Sequence, residues 1–307
     1  MNTIIYGFGR MGLTHYAILN ALNKKINFTI IEPNKVVSRL LKSNIDCEVF
    51  KNDSGIEGSF DLALITSPPF VHQELLEKSI NRGDERVFVE KPFGGYRHVN
   101  SEFSHQNIYV GYVLRFNPCI KWIKNNINPH DIIKISCNYL SNTIQSKPSG
   151  WRNGPYSGVL NEMGSHIIDL IFYLINLEQY EIIDSKVTSL ITDIDDIVEF
   201  QIQSKNTTIN FHFDWVNKKM RKPVFNFEFE LKDGVKVIFD QQNIYFKKGD
   251  HLERHISSSD LSEKVPYYLR GVEFTSQMED LIGEVKILTS VDEALRVNRL
   301  MNKILVK

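Results

Sequence analysis

The chain has 307 residues, 42% of them apolar and 24% charged, a composition that fits about two folded domains and excludes a disordered chain. Lys plus Arg number 36 against 37 Asp plus Glu, and the resulting formal charge of −1 lacks the positive field on which nucleic-acid or anionic-membrane binding depends. Neither is expected as a partner. No apolar run approaches the roughly 18 residues of a membrane helix. Met1-Asn2-Thr3 leads straight into an apolar strand with no basic leader, so a cytoplasmic location is expected. Cys47, Cys119 and Cys137 include no CxxC pair, and reduced, structural thiols are expected rather than disulfides or a thiolate metal site.

In chain order, β-rich runs alternate with helical ones: 3–6, then helix 11–23, strand 28–32, helix 34–42, strand 60–66, helix 71–81, strand 86–90. That alternation predicts a parallel sheet with helices on both faces, because parallel strands need crossovers. Beyond Asn117 the pattern changes. A long apolar-rich helical stretch spans 158–177, followed by strands at 182–191, 197–203, 208–215, 225–231, 235–239 and 244–247. Strands in succession predict an antiparallel sheet, read here as a meander, with Lys205-Asn206 and Lys232-Asp233-Gly234 as turns. Phe211, Phe213 and Trp215 alternate with polar residues and give one aromatic face, available either to an oligomer or to the domain's own helices. Helical periodicity returns at 267–282 and 291–305, with the last helix expected to pack back on the first domain. The expected division is 1–117 and 118–307, with a site in the cleft between them.

Gly7-Phe8-Gly9-Arg10-Met11-Gly12 is a GxGxxG between a predicted strand and a predicted helix. In that context the first glycine permits the tight turn, the second lets backbone approach a pyrophosphate, and the third lets helix and strand pack closely. The helix N-terminus then offers free N–H groups to phosphate charge. Glu32 stands 20 residues beyond Gly12, where a carboxylate accepts hydrogen bonds from ribose hydroxyls and repels a 2′-phosphate. NAD is therefore expected rather than NADP.

Val89-Glu90-Lys91-Pro92 at a strand end, preceded by GxGxxG and by Ile65-Thr66-Ser67-Pro68 with His72, resembles the Gfo/Idh/MocA oxidoreductase family. Gly111-Tyr112-Val113-Leu114-Arg115-Phe116-Asn117-Pro118 resembles that family's domain-crossing segment, and Gly164-Ser165-His166-Ile167-Ile168-Asp169 its GxHxxD helix. The resemblance implies an N-terminal Rossmann domain, doubly wound around a parallel sheet, and a C-terminal α+β domain with a largely antiparallel open sheet. It also implies a homodimer or homotetramer through that sheet, and hydride transfer between nicotinamide and a hydroxyl-bearing carbon of a sugar, inositol or nucleotide-linked sugar. The cofactor set it implies, with the fingerprint, is Gly7, Phe8, Gly9, Arg10, Met11, Gly12, Glu32, Ser67, Pro68, His72, Glu90 and Lys91. Lys91 would touch the reacting oxygen and His166 would carry the proton. A cation beside the oxygen stabilises developing alkoxide, and an imidazole of near-neutral pKa accepts the proton. The Lys91-Pro92 bond is often cis in that family.

Glu162, His166 and Asp169 follow i, i+4, i+7 spacing, one face of an otherwise apolar helix, where ionisable groups are costly unless used or paired. Glu162 joins the catalytic candidates and Asp169 the substrate contacts, although either alternatively orients the imidazole or pairs across an interface. Arg115, Asn117, Trp151 and Arg152 complete the substrate-binding candidates; an arginine suits a carboxylate or diphosphate, or simply a surface salt bridge. Tyr156 and Tyr268 are weaker candidates. His212, His251 and His255 lack ligand spacing, so no metal is expected. Departures from the family pattern are Glu162 where Asp is common, Pro69 where Asn is common, Val113 in place of a polar residue, and a short stretch over 93–107. Two alternatives accompany the dehydrogenase reading: a glycoside hydrolase of the same family that retains its NAD, and a non-catalytic NAD-binding regulator.

Overall fold

A computed structural model describes residues 1–22, 25–93, 107–261 and 270–305. Tyr268 and nearly all of the stretch expected to be short lie outside these residues. The chain divides into two compact units, Met1–Val113 with Lys264–Arg296, and Leu114–Glu263 with Val297–Lys307.

In the first unit β1 (Asn2–Tyr6), α1 (Arg10–Leu22), β2 (Asn27–Ile31), α2 (Lys35–Asn44), β3 (Glu48–Phe50), β4 (Leu62–Ile65), α3 (His72–Arg82), β5 (Val87–Val89) and β6 (Ile108–Val110) follow one another. The strand order β3-β2-β1-β4-β5-β6 is parallel throughout. It is the doubly wound Rossmann order, whose ligand site lies outside the carboxyl ends of the strands where the order reverses, here between β1 and β4. Strands β4 and β5 are buried at every position, which is why they read as continuous apolar runs rather than alternating ones.

The second unit holds α4 (Pro118–Asn126), β7 (Ile132–Leu140), α5 (Ser165–Ile175), β8 (Glu181–Thr188), β9 (Ile197–Ser204), β10 (Thr207–Asp214), β11 (Val224–Leu231), β12 (Val235–Phe239), β13 (Asn243–Lys248), β14 (His251–Ser257) and α6 (Ser258–Leu261). Its eight strands run in the order β14-β13-β12-β11-β7-β10-β9-β8. This corrects the meander. Strand β7, whose alternating Ile132-Ile133-Lys134-Ile135-Ser136-Cys137 was not read as a strand, inserts between β11 and β10 and pairs parallel with β10. Two antiparallel arms are thus joined at one parallel seam. On one face Phe200 stacks on Phe211 at 4.5 Å and Phe227 on Phe239 at 4.7 Å. Phe211, Phe213 and Trp215 are all buried there, and a Cβ on Gly164 would lie 2.9 Å from the Phe213 ring, so this aromatic face covers the unit's own helical segment.

That segment is not one regular α-helix. Leu160–Gly164 form a π turn and α5 starts only at Ser165, so Glu162 stands on a wider turn than His166 and Asp169, and the regular i, i+4, i+7 stripe is broken at its first member. The chain then returns to the first unit, where α7 (Val272–Ile282) packs on α1 and β15 (Thr289–Ser290) adds an antiparallel edge to β6. α8 (Val291–Leu305) ends the fold.

Candidate functional site

In the first unit the sheet sets the chemistry by bringing three loops to one edge. Gly7 leaves β1 with φ +87°, and a Cβ there would stand 2.9 Å from the Ser67 Cα in the loop after β4. A Cβ on Gly12 would collide with the Gly7 carbonyl oxygen and lie 2.9 Å from Thr66 Oγ1. The Thr66 hydroxyl clasps the same turn, donating to the Gly7 carbonyl at 2.6 Å. Around Gly9, by contrast, no atom of the described residues beyond its own chain neighbours comes within 4 Å of the Cβ position. The outer glycines thus serve packing, and the middle one leaves room for something to approach the backbone. Ser67 Oγ, buried beside this turn, has no hydrogen-bond partner among the described residues. With the first N–H groups of α1 lacking intrahelical acceptors, these features fit a dinucleotide phosphate.

Glu32 is buried behind the turn, and its carboxylate oxygens accept from the Phe8 N–H and the Asn34 N–H, each at 2.8 Å. It clamps the glycine turn as well as facing it, and each oxygen retains a second lone pair for a ribose hydroxyl. Asn34 caps α2 through the Val36 and Val37 N–H groups. Arg10 is exposed at the start of α1, and Met11 lies beside it with Sδ 3.5 Å from the Arg270 guanidinium.

Glu90, Lys91 and Pro92 follow β5 at the same carboxyl edge, and the Lys91-Pro92 peptide is cis. Lys91 is half-buried. Its neighbour Glu90 is buried, 2.7 Å from Nε2 of His15 on α1, and accepts from the Lys91 N–H at 3.3 Å. His72, after Pro68-Pro69 at the start of α3, is buried with Nε2 2.8 Å from the Ser67 carbonyl and Nδ1 3.2 Å from the Pro92 carbonyl. Burial is the main influence on this imidazole and lowers its pKa, against the two carbonyls, which favour the cation. His72 therefore acts through protein backbone. His15 escaped the sequence reading because its partner is 75 residues away, although its place on the helix of the glycine turn was visible.

In the second unit the candidates divide into two groups. Arg115 donates through Nε and a terminal nitrogen to the two oxygens of Asp169 at 2.8 and 2.6 Å, and its guanidinium lies over the Tyr173 ring at 4.6 Å. Both members are almost fully buried, so the pair is bidentate and turned inward. Asn117 caps α4 by accepting from the Cys119 and Ile120 N–H groups and donates to the Gln241 carbonyl at 3.1 Å. The second group is more open. Trp151 and Arg152 occupy a single turn at 150–153, with Arg152 over the indole at 5.5 Å. The Arg152 guanidinium is 4.0 Å from Glu162, which also accepts from the Ser157 hydroxyl at 2.5 Å. His166 lies near the start of α5, 8% exposed.

Asp195, absent from the sequence reading, supports this segment from below. Its carboxylate accepts from the Leu160 N–H at 2.7 Å, and the missing Cβ of Gly158 (φ +108°) is what admits it, since that Cβ would lie 2.6 Å from the Asp195 Cγ. Burial is the main cause of a pKa raised to about 7. Among the described residues no group of three or more His, Cys, Asp or Glu is placed to hold a metal ion, and no helix is long and apolar enough to cross a membrane.

Residues 1–105 match the Gfo/Idh/MocA family model, described as an oxidoreductase family with an NAD-binding Rossmann fold. The match covers the part of the chain that holds the glycine turn, the Ser67 loop and the Glu90-Lys91-Pro92 segment, and the Rossmann strand order of the first unit agrees with the fold that the family model describes. No curated protein matches the sequence. In fold the likeness spans the whole chain. A structure of levoglucosan dehydrogenase in complex with NADH matches with TM-score 0.84 at 17% identity, covering 100% of this chain and 96% of that one. An oxidoreductase domain protein from Kribbella flavida matches with TM-score 0.81 at 18% identity, covering 98% and 95%. UDP-N-acetylglucosamine 3-dehydrogenase from Acidithiobacillus ferrooxidans matches with TM-score 0.76 at 16% identity, covering 100% and 97%.

Proposed function

We propose that this chain, whose first 105 residues match the model of an NAD-binding oxidoreductase family, is an NAD(H)-dependent dehydrogenase or reductase acting on a hydroxyl-bearing carbon of a sugar, inositol or nucleotide-linked sugar. The observation that carries the reading is the shared sheet edge. The glycine turn after β1, Ser67 after β4 and Lys91 after β5 leave parallel strands of one sheet at the same end. The bound nicotinamide supplies the hydride acceptor or donor.

The chain's own residues do the rest. Gly9 and the α1 N-terminus receive the pyrophosphate, Glu32 the ribose, and the Lys91 ammonium stabilises negative charge developing on the reacting oxygen. His166 carries the proton, and Glu162, held by Ser157, with Trp151 and Arg152 contacts the substrate. Arg115 and Asp169, paired with each other, and Asn117, bonded to backbone, brace the segments that carry the second unit's groups, which favours a supporting role over direct substrate contact for these three. The levoglucosan and nucleotide-sugar dehydrogenases among the structural relatives agree with a sugar-like substrate.

The test is NADH formation from NAD across a panel of sugars, inositols and nucleotide sugars that includes levoglucosan and UDP-N-acetylglucosamine. Turnover is expected on at least one member, falling by about 10²–10⁴ in Lys91→Ala and His166→Ala with NADH affinity kept. A wild-type chain that binds no dinucleotide in a fluorescence titration would overturn the reading.

A further inference from the structure

We propose that His15 and Glu90 are positioning residues for Lys91, a buried relay that ties the helix receiving the cofactor phosphates to the backbone of the lysine. The inference rests on the reading of Lys91 as the group beside the reacting oxygen. His15 lies three residues after Gly12 on α1 and is fully buried. Its Nε2 is 2.7 Å from one oxygen of Glu90, and the other oxygen of that carboxylate accepts from the Lys91 N–H at 3.3 Å.

The ring has little freedom. Phe88 on β5 meets it edge-on at a centroid distance of 5.2 Å, and Phe274 on α7 at 6.4 Å. No second polar contact accounts for it, since Nδ1 has no partner among the described residues. Space for the carboxylate is built in as well, because a Cβ on Gly111 would come within 3.2 Å of Glu90 Oε2. From the far side His72 meets the Pro92 carbonyl. Lys91 is thus flanked by two anchored residues, one tied to α1 through His15 and the other to the Ser67 loop through His72.

A buried carboxylate is expensive, and apolar packing of the same volume would stabilise the unit equally well. What apolar packing cannot do is transmit position. A shift of α1 toward bound phosphate moves His15, and through Glu90 it moves the Lys91 backbone; misplacement of a catalytic group by about 1 Å is enough to cost about 10²-fold in rate. On this account the dinucleotide and the lysine come into register together.

The experiment follows acetylation of the Lys91 amine by acetic anhydride, read by mass spectrometry on the full chain with and without saturating NADH. NADH is expected to slow wild-type labelling about tenfold, and in His15→Ala and Glu90→Ala the protection at saturating NADH should fall to about twofold or less, in His15→Ala with the NADH dissociation constant nearly unchanged. His15→Gln, long enough to reach Glu90, should restore protection, and His15→Asn, too short, should not. The Asn and Gln pair decides the matter if the alanine variants fail to fold. Protection equal to wild type in both His15→Ala and His15→Asn would overturn the relay. Absence of NADH protection in the wild type would instead overturn the placement of Lys91 itself, and the relay with it.

Discussion

Glu32 in the first unit and Asp169 in the second are both buried carboxylates in motifs that mark a site, yet they are held differently. Glu32 accepts from two backbone N–H groups of the loops it shapes, while Asp169 faces a single guanidinium in a bidentate pair. The contrast extends to their surroundings. In the first unit, buried His72 spends both ring nitrogens on main chain, Glu90 divides its two oxygens between the Lys91 N–H and the His15 ring, and the glycines decide how closely loops approach. In the second unit, side chains are matched to side chains: Arg115 to Asp169, Ser157 to Glu162, Trp215 to Asp196. A site drawn by main-chain shape tolerates many side chains but few changes at glycine. A scaffold drawn by paired charges tolerates the loss of a pair better than the loss of one partner.

The sharpest way to break the second arrangement is Arg115→Ala. It leaves the Asp169 carboxylate buried without its guanidinium, and a loss of about 3–5 kcal/mol in urea unfolding is expected. Replacing both partners together, as Arg115→Met with Asp169→Leu, should recover most of it, because the desolvation cost disappears with the charges. A double variant as unstable as the single one would show that the pair holds more than itself.

The first arrangement breaks at Gly12. Its Cβ would meet the Gly7 carbonyl, a backbone atom that cannot swing aside, so Gly12→Ala should cost about 1–3 kcal/mol of overpacking and weaken NADH binding. Gly9→Ala meets no atom of the described residues within 4 Å beyond its own chain neighbours. It should melt like the wild type and still bind NADH more weakly, which separates the packing role of one glycine from the ligand-facing role of the other. Calorimetry with NADH titration reads both.

How much of this was legible in the sequence follows from the same contrast. The glycine turn and its helix could be read because their spacing along the chain is their geometry. Residues 235–239 and 291–305 were likewise expected at the bounds where strand and helix occur, from period alone. The place of β7 was invisible, since alternation identifies a strand and not its neighbour, and the parallel seam with β10 joins residues about 70 positions apart. His15 with Glu90, Arg115 with Asp169, and Asp195 with Leu160 are all pairings across long separations that leave no periodic trace. The π turn at 160–164 is a further case: one extra residue in a turn displaced Glu162 from the stripe that a regular helix would have drawn.

Asp195 gives an effect with a sign that can be checked. Its folded pKa, about 7, stands above the ordinary value of 3.8, with burial as the leading cause. A raised carboxyl pKa means that the folded state holds a proton which the unfolded chain has lost, so stability declines from about pH 4 to about pH 7 and is level above that. Asp195→Asn keeps an oxygen for the Leu160 N–H and removes the titration. Its melting temperature should gain on the wild type as pH rises across that window, and the gain should level off above about pH 7. Parallel pH profiles for the two proteins would place the raised pKa on another group.

Arg152→Ala should change stability least, since the guanidinium is more than half exposed and 4.0 Å from Glu162, a separation at which a surface pair contributes about 0–1 kcal/mol. Its value lies in what else moves. Arg152 rests over Trp151 and reaches the carboxylate that Ser157 holds, which makes it the most open charge among the second unit's candidates. If this group contacts substrate, Arg152→Ala raises KM several-fold with kcat and melting temperature nearly unchanged. A fall in kcat at constant KM would instead mean that Arg152 acts through Glu162 on the reacting centre. Unchanged kinetics would assign the cation to the surface and leave substrate recognition to Trp151 and Glu162.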